Sequence, residues 1–327
     1  MAKYATTFKI PNEAIDRLAN SADQPFYYML RSHHSDFFSQ ELRTSFENWY
    51  DRMEILAAKS PVIPYLETPH FKAPTENSKT FAKFVAEEVR QLWNMGSDPV
   101  SDPVNLTESL GIFIKSVDFK TDRLMAITGK KGKSGVAAML INTNTELPIE
   151  RQRFSIFHEL AHLIAHDEDF EENPNHSGYG ENKDPREAFA DAFAGNFLVP
   201  EKELIRIIRL IQKSGAGDQM IFLLKLYFKV SYQVIFYRLF ETEFITGRNL
   251  SQMFHQWKAI YGNREPCPLT ESLRFAQEDV LIDSFSRCDE PNREDVQFSN
   301  WDLNGFTKTT SAPLNISTPE PQVKFAM

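Results

Sequence analysis

Three histidines fall within nine residues, in Phe157-His158-Glu159-Leu160-Ala161-His162-Leu163-Ile164-Ala165-His166. The residues around them are mostly apolar. Phe154, Ile156, Phe157, Leu160, Leu163 and Ile164 cover nearly all sides of the helix that this spacing predicts over 149–167. A helix apolar all round belongs at the centre of a fold, and polar groups buried there need partners. The chain must therefore build layers around one central helix that carries imidazoles. The simplest reading is a core helix whose histidines hydrogen-bond to their neighbours.

The spacing also permits chemistry. His158-Glu159-x-x-His162 is H-E-x-x-H. Residues i and i+4 project from one helix face with Cβ atoms about 5–6 Å apart, so both imidazoles can reach one Zn²⁺. Glu159 is rotated off that line and is placed to face the metal's reacting side as a general base. Composition alone gives such a spacing in on the order of one or two per cent of chains like this one, so the motif is informative without being proof.

A catalytic zinc site takes a third protein ligand and leaves one position open. His166 sits on the same helix, about 12 Å along the axis from His158, too far to close the same site. A metzincin ligand set would need Gly at 165 and His at 168, where this chain has Ala165 and Glu168. His176, in a polar loop, is one candidate. Glu187 is the stronger one. It opens a second helix predicted over 185–198, with Asp184 as cap and Pro185 in the first turn. Glu187 and Asp191 are i and i+4, so both can face the first helix. Asp191 would then accept the second ring N–H of a ligand histidine. As an ordinary surface residue, Glu187 would be an acid at a helix N-terminus, favoured by the helix dipole. Tyr179 and His176, between the two helices, are candidate transition-state donors. Two imidazoles and a carboxylate accept Mn²⁺ as well as Zn²⁺.

Composition limits the alternatives. The 327 residues are 42% hydrophobic and 25% charged, as in a folded globular protein. Forty-five acidic residues against 36 basic give a net charge of −9, so direct DNA binding is not expected. The two cysteines, Cys267 and Cys288, are too few for a disulfide framework. The opening residues lack a signal-like apolar stretch, and no run is long enough to cross a membrane. A cytoplasmic protein is the expectation.

Punctuation divides the chain into four parts. Residues 1–75 read as helical, with a periodic segment over 46–58 and a Pro-rich linker following it. Residues 76–200 read as the core. It contains a helix from Ser78 to about Gly96 and strands at 110–114, 124–127 and 135–141. The last two strands are expected to be joined by the turn Gly129-Lys130-Lys131-Gly132-Lys133. Residues 137–141, just before the central helix, are an edge-strand candidate to which an extended substrate could add. Residues 201–265 are helical, with helices expected at 201–213, 219–228 and 231–242. The segment from Tyr227 to Phe240 resembles half of a helix-turn-helix but is aromatic-rich and poor in basic residues, which favours two packed helices. Residues 266–327 are a polar extension, expected to be partly flexible.

Taken together, these motifs resemble the ImmA/IrrE family of zinc metallopeptidases. The similar segments run from Ala86–Trp93 through Leu110-Gly111-Ile112, Leu140-Ile141-Asn142, Arg151–Ser155 and His158–His166. They continue through Glu187–Ala194 and close at Phe197-Leu198-Val199-Pro200. The likeness covers roughly 80–240. Ala161 stands where the family usually has Gly, and Asp191 where Asn is frequent. The resemblance implies an α+β, zincin-like metallopeptidase core with flanking helical regions. It further implies His158, His162 and Glu187 as metal ligands and Glu159 as catalytic base. Relatives cleave, or relieve repression by, a helix-turn-helix repressor in mobile elements, phage-related loci or stress responses. The expected partner is thus a DNA-binding repressor or antitoxin. The alternative is a metal-containing module that sequesters a repressor or toxin without cutting it.

Overall fold

A computed structural model of the chain describes residues 24–32, 38–59, 66–72, 78–132, 135–170, 184–262 and 264–287. Residues 288–327, which include most of the polar extension, lie outside the described residues. The architecture is α+β. Its centre is a four-stranded mixed sheet in the order β1-β3-β4-β2. The strands are β1 (Phe26–Ser32), β2 (Phe113–Val117), β3 (Leu124–Lys131) and β4 (Ala137–Asn142). β1 and β3 pair antiparallel, as do β3 and β4, whereas β2 runs parallel to β4.

Both faces of the sheet are covered, and alternate side chains divide between two cores. Met29, Ile114, Ala126, Met139 and Ile141 point to one face. There they meet the central helix α4 (Ile149–Ala165), together with α2 (Ser78–Leu92) and α5 (Pro185–Leu198). Tyr28, Leu30, Phe113, Ile127, Ala138 and Leu140 point the other way. They pack on Phe46, Trp49, Tyr50 and Met53 of α1 (Gln40–Lys59) and on Leu281 of α10 (Gln277–Arg287). Burial on both faces explains why these strands read as continuous apolar runs, not as a clean alternation. The remaining helices are α3 (Pro103–Ser109), α6 (Glu201–Lys213), α7 (Met220–Phe228), α8 (Tyr232–Glu241) and α9 (Gly247–Tyr261). No single described helix is long and apolar enough to cross a membrane.

Three expectations need correction. Residues 1–75 are not helical throughout, because 26–32 form a strand, in which Tyr27 and Met29 turn to one core and Phe26, Tyr28 and Leu30 to the other. Residues 137–141 are not an edge: β4 is flanked by β3 on one side and β2 on the other. Finally, Gly129, Lys130 and Lys131 belong to β3, and the hairpin turn starts at Gly132, whose φ of 64° suits glycine. Gly129 itself is needed for space, since a Cβ there would lie 2.9 Å from the Phe46 ring. Within the C-terminal extension, α10 is ordered against the sheet. Gln277 lies alongside β2, its side-chain oxygen accepting from the Ile114 N–H and its side-chain nitrogen donating to the Ile112 carbonyl.

The α7–α8 pair is a tight bend through Lys229, which adopts a left-handed φ of 56°. Its inner side chains Leu224, Phe228, Ile235, Phe236 and Leu239 are buried. Lys229 pairs with Glu271, and Arg238 is buried, bonding the Val199 carbonyl and Glu241. Two packed helices account for this segment.

Candidate metal centre

α4 and α5 lie against each other, and the sequence motifs meet where they touch. Asp184 caps α5 by accepting from the Arg186 backbone N–H, and Pro185 occupies the first turn. This cap sets the start of α5, so that Glu187 and Asp191 face α4. The Nε2 atoms of His158 and His162 are 3.2 Å apart. One oxygen of Glu187 lies 3.2 Å from His158 Nε2, and the other lies 3.2 Å from His162 Nε2. His158, His162 and Glu187 are all buried, and their donor atoms lie within 4.8 Å of one another.

The remaining ring nitrogens decide what these contacts mean. His158 Nδ1 is 2.8 Å from Asp191 Oδ1, an ionised acceptor, so Nδ1 carries the proton and Nε2 presents a lone pair. His162 Nδ1 is 3.2 Å from His166 Nδ1. Proton donation from His162 Nδ1 leaves its Nε2 as a second lone pair. With both Nδ1 atoms donating, two lone pairs and a carboxylate converge at contact distance, an arrangement that a bound cation satisfies. The distances agree. Ligands about 2.0–2.1 Å from a tetrahedral ion lie about 3.4 Å from one another. The donor set therefore fits a divalent metal. Without a metal, protons on the two Nε2 atoms take its place: burial alone would raise the Glu187 carboxyl, but hydrogen bonds and charge from His158 and His162 then hold it well below the usual carboxylate range.

Residues 107–240 match the model of the IrrE N-terminal-like domain (Peptidase_M78), and every side chain of this cluster falls inside that stretch. That stretch is similar to the IrrE N-terminal-like domain of a peptidase family. It accounts for less than half of the chain, and none of the curated proteins matches the chain.

Within this stretch, Glu159 is fully buried on α4. Thr128 of β3 donates its hydroxyl to Glu159 Oε2 at 2.6 Å, while Oε1 is buried without a hydrogen-bond partner among the described residues. Burial pushes the Glu159 carboxyl up, opposed by the two histidines and the Thr128 bond. An acid with one oxygen held and the other unsatisfied is suited to receiving a proton.

Sequence spacing had left two of these contacts unseen. His166, too distant along the helix to share a site with His158, caps the end of α4 and reaches His162 instead. Burial above all lowers its pKa to about 3, so it stays neutral as a partner for His162. Thr128 carries no motif signal, and only the fold brings β3 over Glu159. Tyr179 and His176, the candidate transition-state donors, lie outside the described residues.

Proposed function

We propose that the chain is a zinc-dependent endopeptidase that cleaves a partner protein at a specific site. The proposed partner is a helix-turn-helix repressor or antitoxin of a mobile-element, phage-defence or stress-response module. The observation that carries the enzymatic reading is the convergence of His158 Nε2, His162 Nε2 and the Glu187 carboxylate beside a buried Glu159. His158, His162 and Glu187 would hold the ion, with Mn²⁺ the alternative to Zn²⁺. When bound, such an ion acidifies a coordinated water and polarises the scissile carbonyl. Glu159 takes the proton released in the attack and passes it to the leaving amine. Thr128 holds Glu159 Oε2, which leaves Oε1 as the atom that exchanges the proton. Asp191 and His166 fix the rings of His158 and His162.

A DNA-binding partner, itself basic, suits the charge of this chain. Glu168 and Asp169 are exposed just beyond the end of α4, where they would face such a protein. Direct DNA contact through α8 is disfavoured, since Lys229 and Arg238 are engaged by Glu271 and Glu241.

The test begins with metal content, measured in the wild-type protein beside His162→Ala and Glu187→Ala. About one ion per chain, lost in both variants, is expected. Candidate helix-turn-helix proteins are then incubated with metal-loaded wild type and with Glu159→Gln. Glu159→Gln should keep its metal and lose about 100- to 10,000-fold in cleavage rate. A bound but intact partner, with metal-loaded wild-type protein, would overturn the enzymatic reading in favour of a module that sequesters without cutting.

A further inference from the structure

An extended peptide binds most simply by adding a strand to a free sheet edge, where backbone hydrogen bonds hold it whatever its sequence. The edge that matters here is the one beside Glu159. Thr128 identifies it, since this residue lies on β3 and touches Glu159. A strand paired with β3 lies about 4.8 Å away, close enough for its backbone to reach the space next to Glu159. One further strand out, at about 9.6 Å, does not reach it.

That place is occupied. β1 pairs antiparallel with β3 along its length, and Met29 stands directly opposite Thr128. Met29 and Tyr27 turn toward the α4 side of the sheet, and Met29 is buried in the same core as Phe157, Leu160 and Ala161. β2, β3 and β4 all lie within the matched peptidase domain, whereas β1 lies outside it. The matched domain alone would thus leave the β3 edge open, and a segment from nearer the N-terminus covers it. The opposite edge, β2, is blocked by Gln277. His158, Glu159 and His162 are each at most 1% exposed. The β1 ladder is also interrupted by a register shift between Arg31 and Ser32, a natural starting point for peeling.

We propose that the strand position beside β3 is the peptide-binding subsite of this chain. β1 is then an internal occupant that must leave before an extended substrate can pair there. The proposal rests on the endopeptidase reading for its consequence, and on the sheet geometry for its existence. The apparent rate is set by the fraction of molecules with β1 displaced.

A reversible lock tests it. Leu30 and Ile127 are register partners and both point to the face away from α4. Directly paired antiparallel residues have Cα atoms about 4.5–5.5 Å apart, within disulfide reach. Leu30→Cys with Ile127→Cys is made in a Cys267→Ser, Cys288→Ser background, and Leu30→Ser is made as a loosened form. Metal content is measured on each, which checks the donor set independently. β-Casein serves as an unstructured substrate. In addition, a fluorescent peptide with the sequence of residues 24–32 is followed by anisotropy.

Oxidation of the locked form should abolish casein cleavage, and reduction by a phosphine should restore it. Leu30→Ser should raise cleavage about tenfold over wild type, as a larger open fraction requires. Cleavage by the oxidised, metal-loaded lock at the rate of its reduced form would overturn the proposal. If no metal-loaded form cuts casein, the peptide decides the subsite separately from the chemistry. Binding to Leu30→Ser but not to the oxidised lock supports the subsite; no binding to Leu30→Ser, or equal binding to both, overturns it.

Discussion

The hydroxyl of Thr128 on β3 lies 2.6 Å from Oε2 of Glu159 on α4, a contact between two buried residues 31 positions apart. A donor that bonds an ionised carboxylate favours the ionised form, and here it opposes the burial that pushes Glu159 up. Thr128→Val keeps the shape and removes the donor. The Glu159 carboxyl then rises further, and less of it is ionised at neutral pH. The expected result is an acid limb of kcat/KM displaced to higher pH and a rate at pH 7 reduced about tenfold or more, with metal content unchanged. Thr128→Ser, which keeps the hydroxyl, should restore most of the rate. An unmoved pH profile in Thr128→Val would show that the residue only packs.

With a metal held by His158, His162 and Glu187, as proposed, Asp191 and His166 would act on it through the rings they hold. The Asp191 contact to His158 Nδ1 fixes a ligand that Asp191 itself does not supply. Losing such a partner weakens metal binding about 10- to 100-fold. Asp191→Ala should therefore bind zinc with that deficit in a competition titration, whereas Glu187→Ala should bind far more weakly still. Metal that binds only the folded state also stabilises it by mass action. Chelation should lower the Tm of wild type and leave that of His162→Ala almost unchanged. Equal shifts in both would show that the metal binds elsewhere.

Lys225 and Glu150 form an ion pair with neither side chain exposed. The pair ties the start of α4 to α7, and the same Glu150 oxygen accepts the Leu269 backbone N–H at 2.9 Å. Lys225 also donates to the Cys267 carbonyl. Removing one partner of such a pair strands a buried charge and costs about 3–5 kcal/mol. Lys225→Met should show that loss in urea denaturation. Adding Glu150→Gln should recover part of it, because the Glu150 charge is then gone while Glu265, 3.4 Å from the Lys225 ammonium, still lacks its partner. A double variant as unstable as the single one would place the cost in packing instead.

How much of this was legible in the sequence depended on distance along the chain. α5 was found to the residue, because Asp184, Pro185 and its apolar run are local signals. The pairing of Glu187 with the two histidines was also within reach, since i, i+4 spacing on two helices predicts facing side chains. β1 was missed. Phe26-Tyr27-Tyr28-Met29-Leu30 is apolar on both faces, and its partner β3 lies about a hundred residues on. The edge status of β4 was misread for the same reason, because edges depend on which strands arrive from elsewhere. Thr128 and Gln277 are ordinary residues that the fold turns to particular uses, one against Glu159 and one against the β2 backbone. No local pattern marks either.

Glu108, at the end of α3, gives the stability of this fold a pH dependence of identifiable sign. Burial, followed by the charge of Asp102, raises its carboxyl from near 4.5 to about 7, and the Gln277 backbone N–H only partly opposes this. One of its oxygens is buried without a hydrogen-bond partner among the described residues. Between those two pH values the folded state holds a proton that the unfolded chain has released. Glu108 therefore supports the fold below about pH 4.5, and that support is lost as pH rises through about 7. Glu108→Gln stays neutral throughout and escapes the loss. It should match wild type at pH 4.5 and exceed it at pH 8, with the gap opening between those values. The side chain is only partly buried, so solvent screening should hold the gain to about 1 kcal/mol or less. Urea midpoints of both proteins, chelated so that metal does not contribute, measure it directly. A gap that is constant with pH would mean that the substitution acts through packing and not through the Glu108 charge.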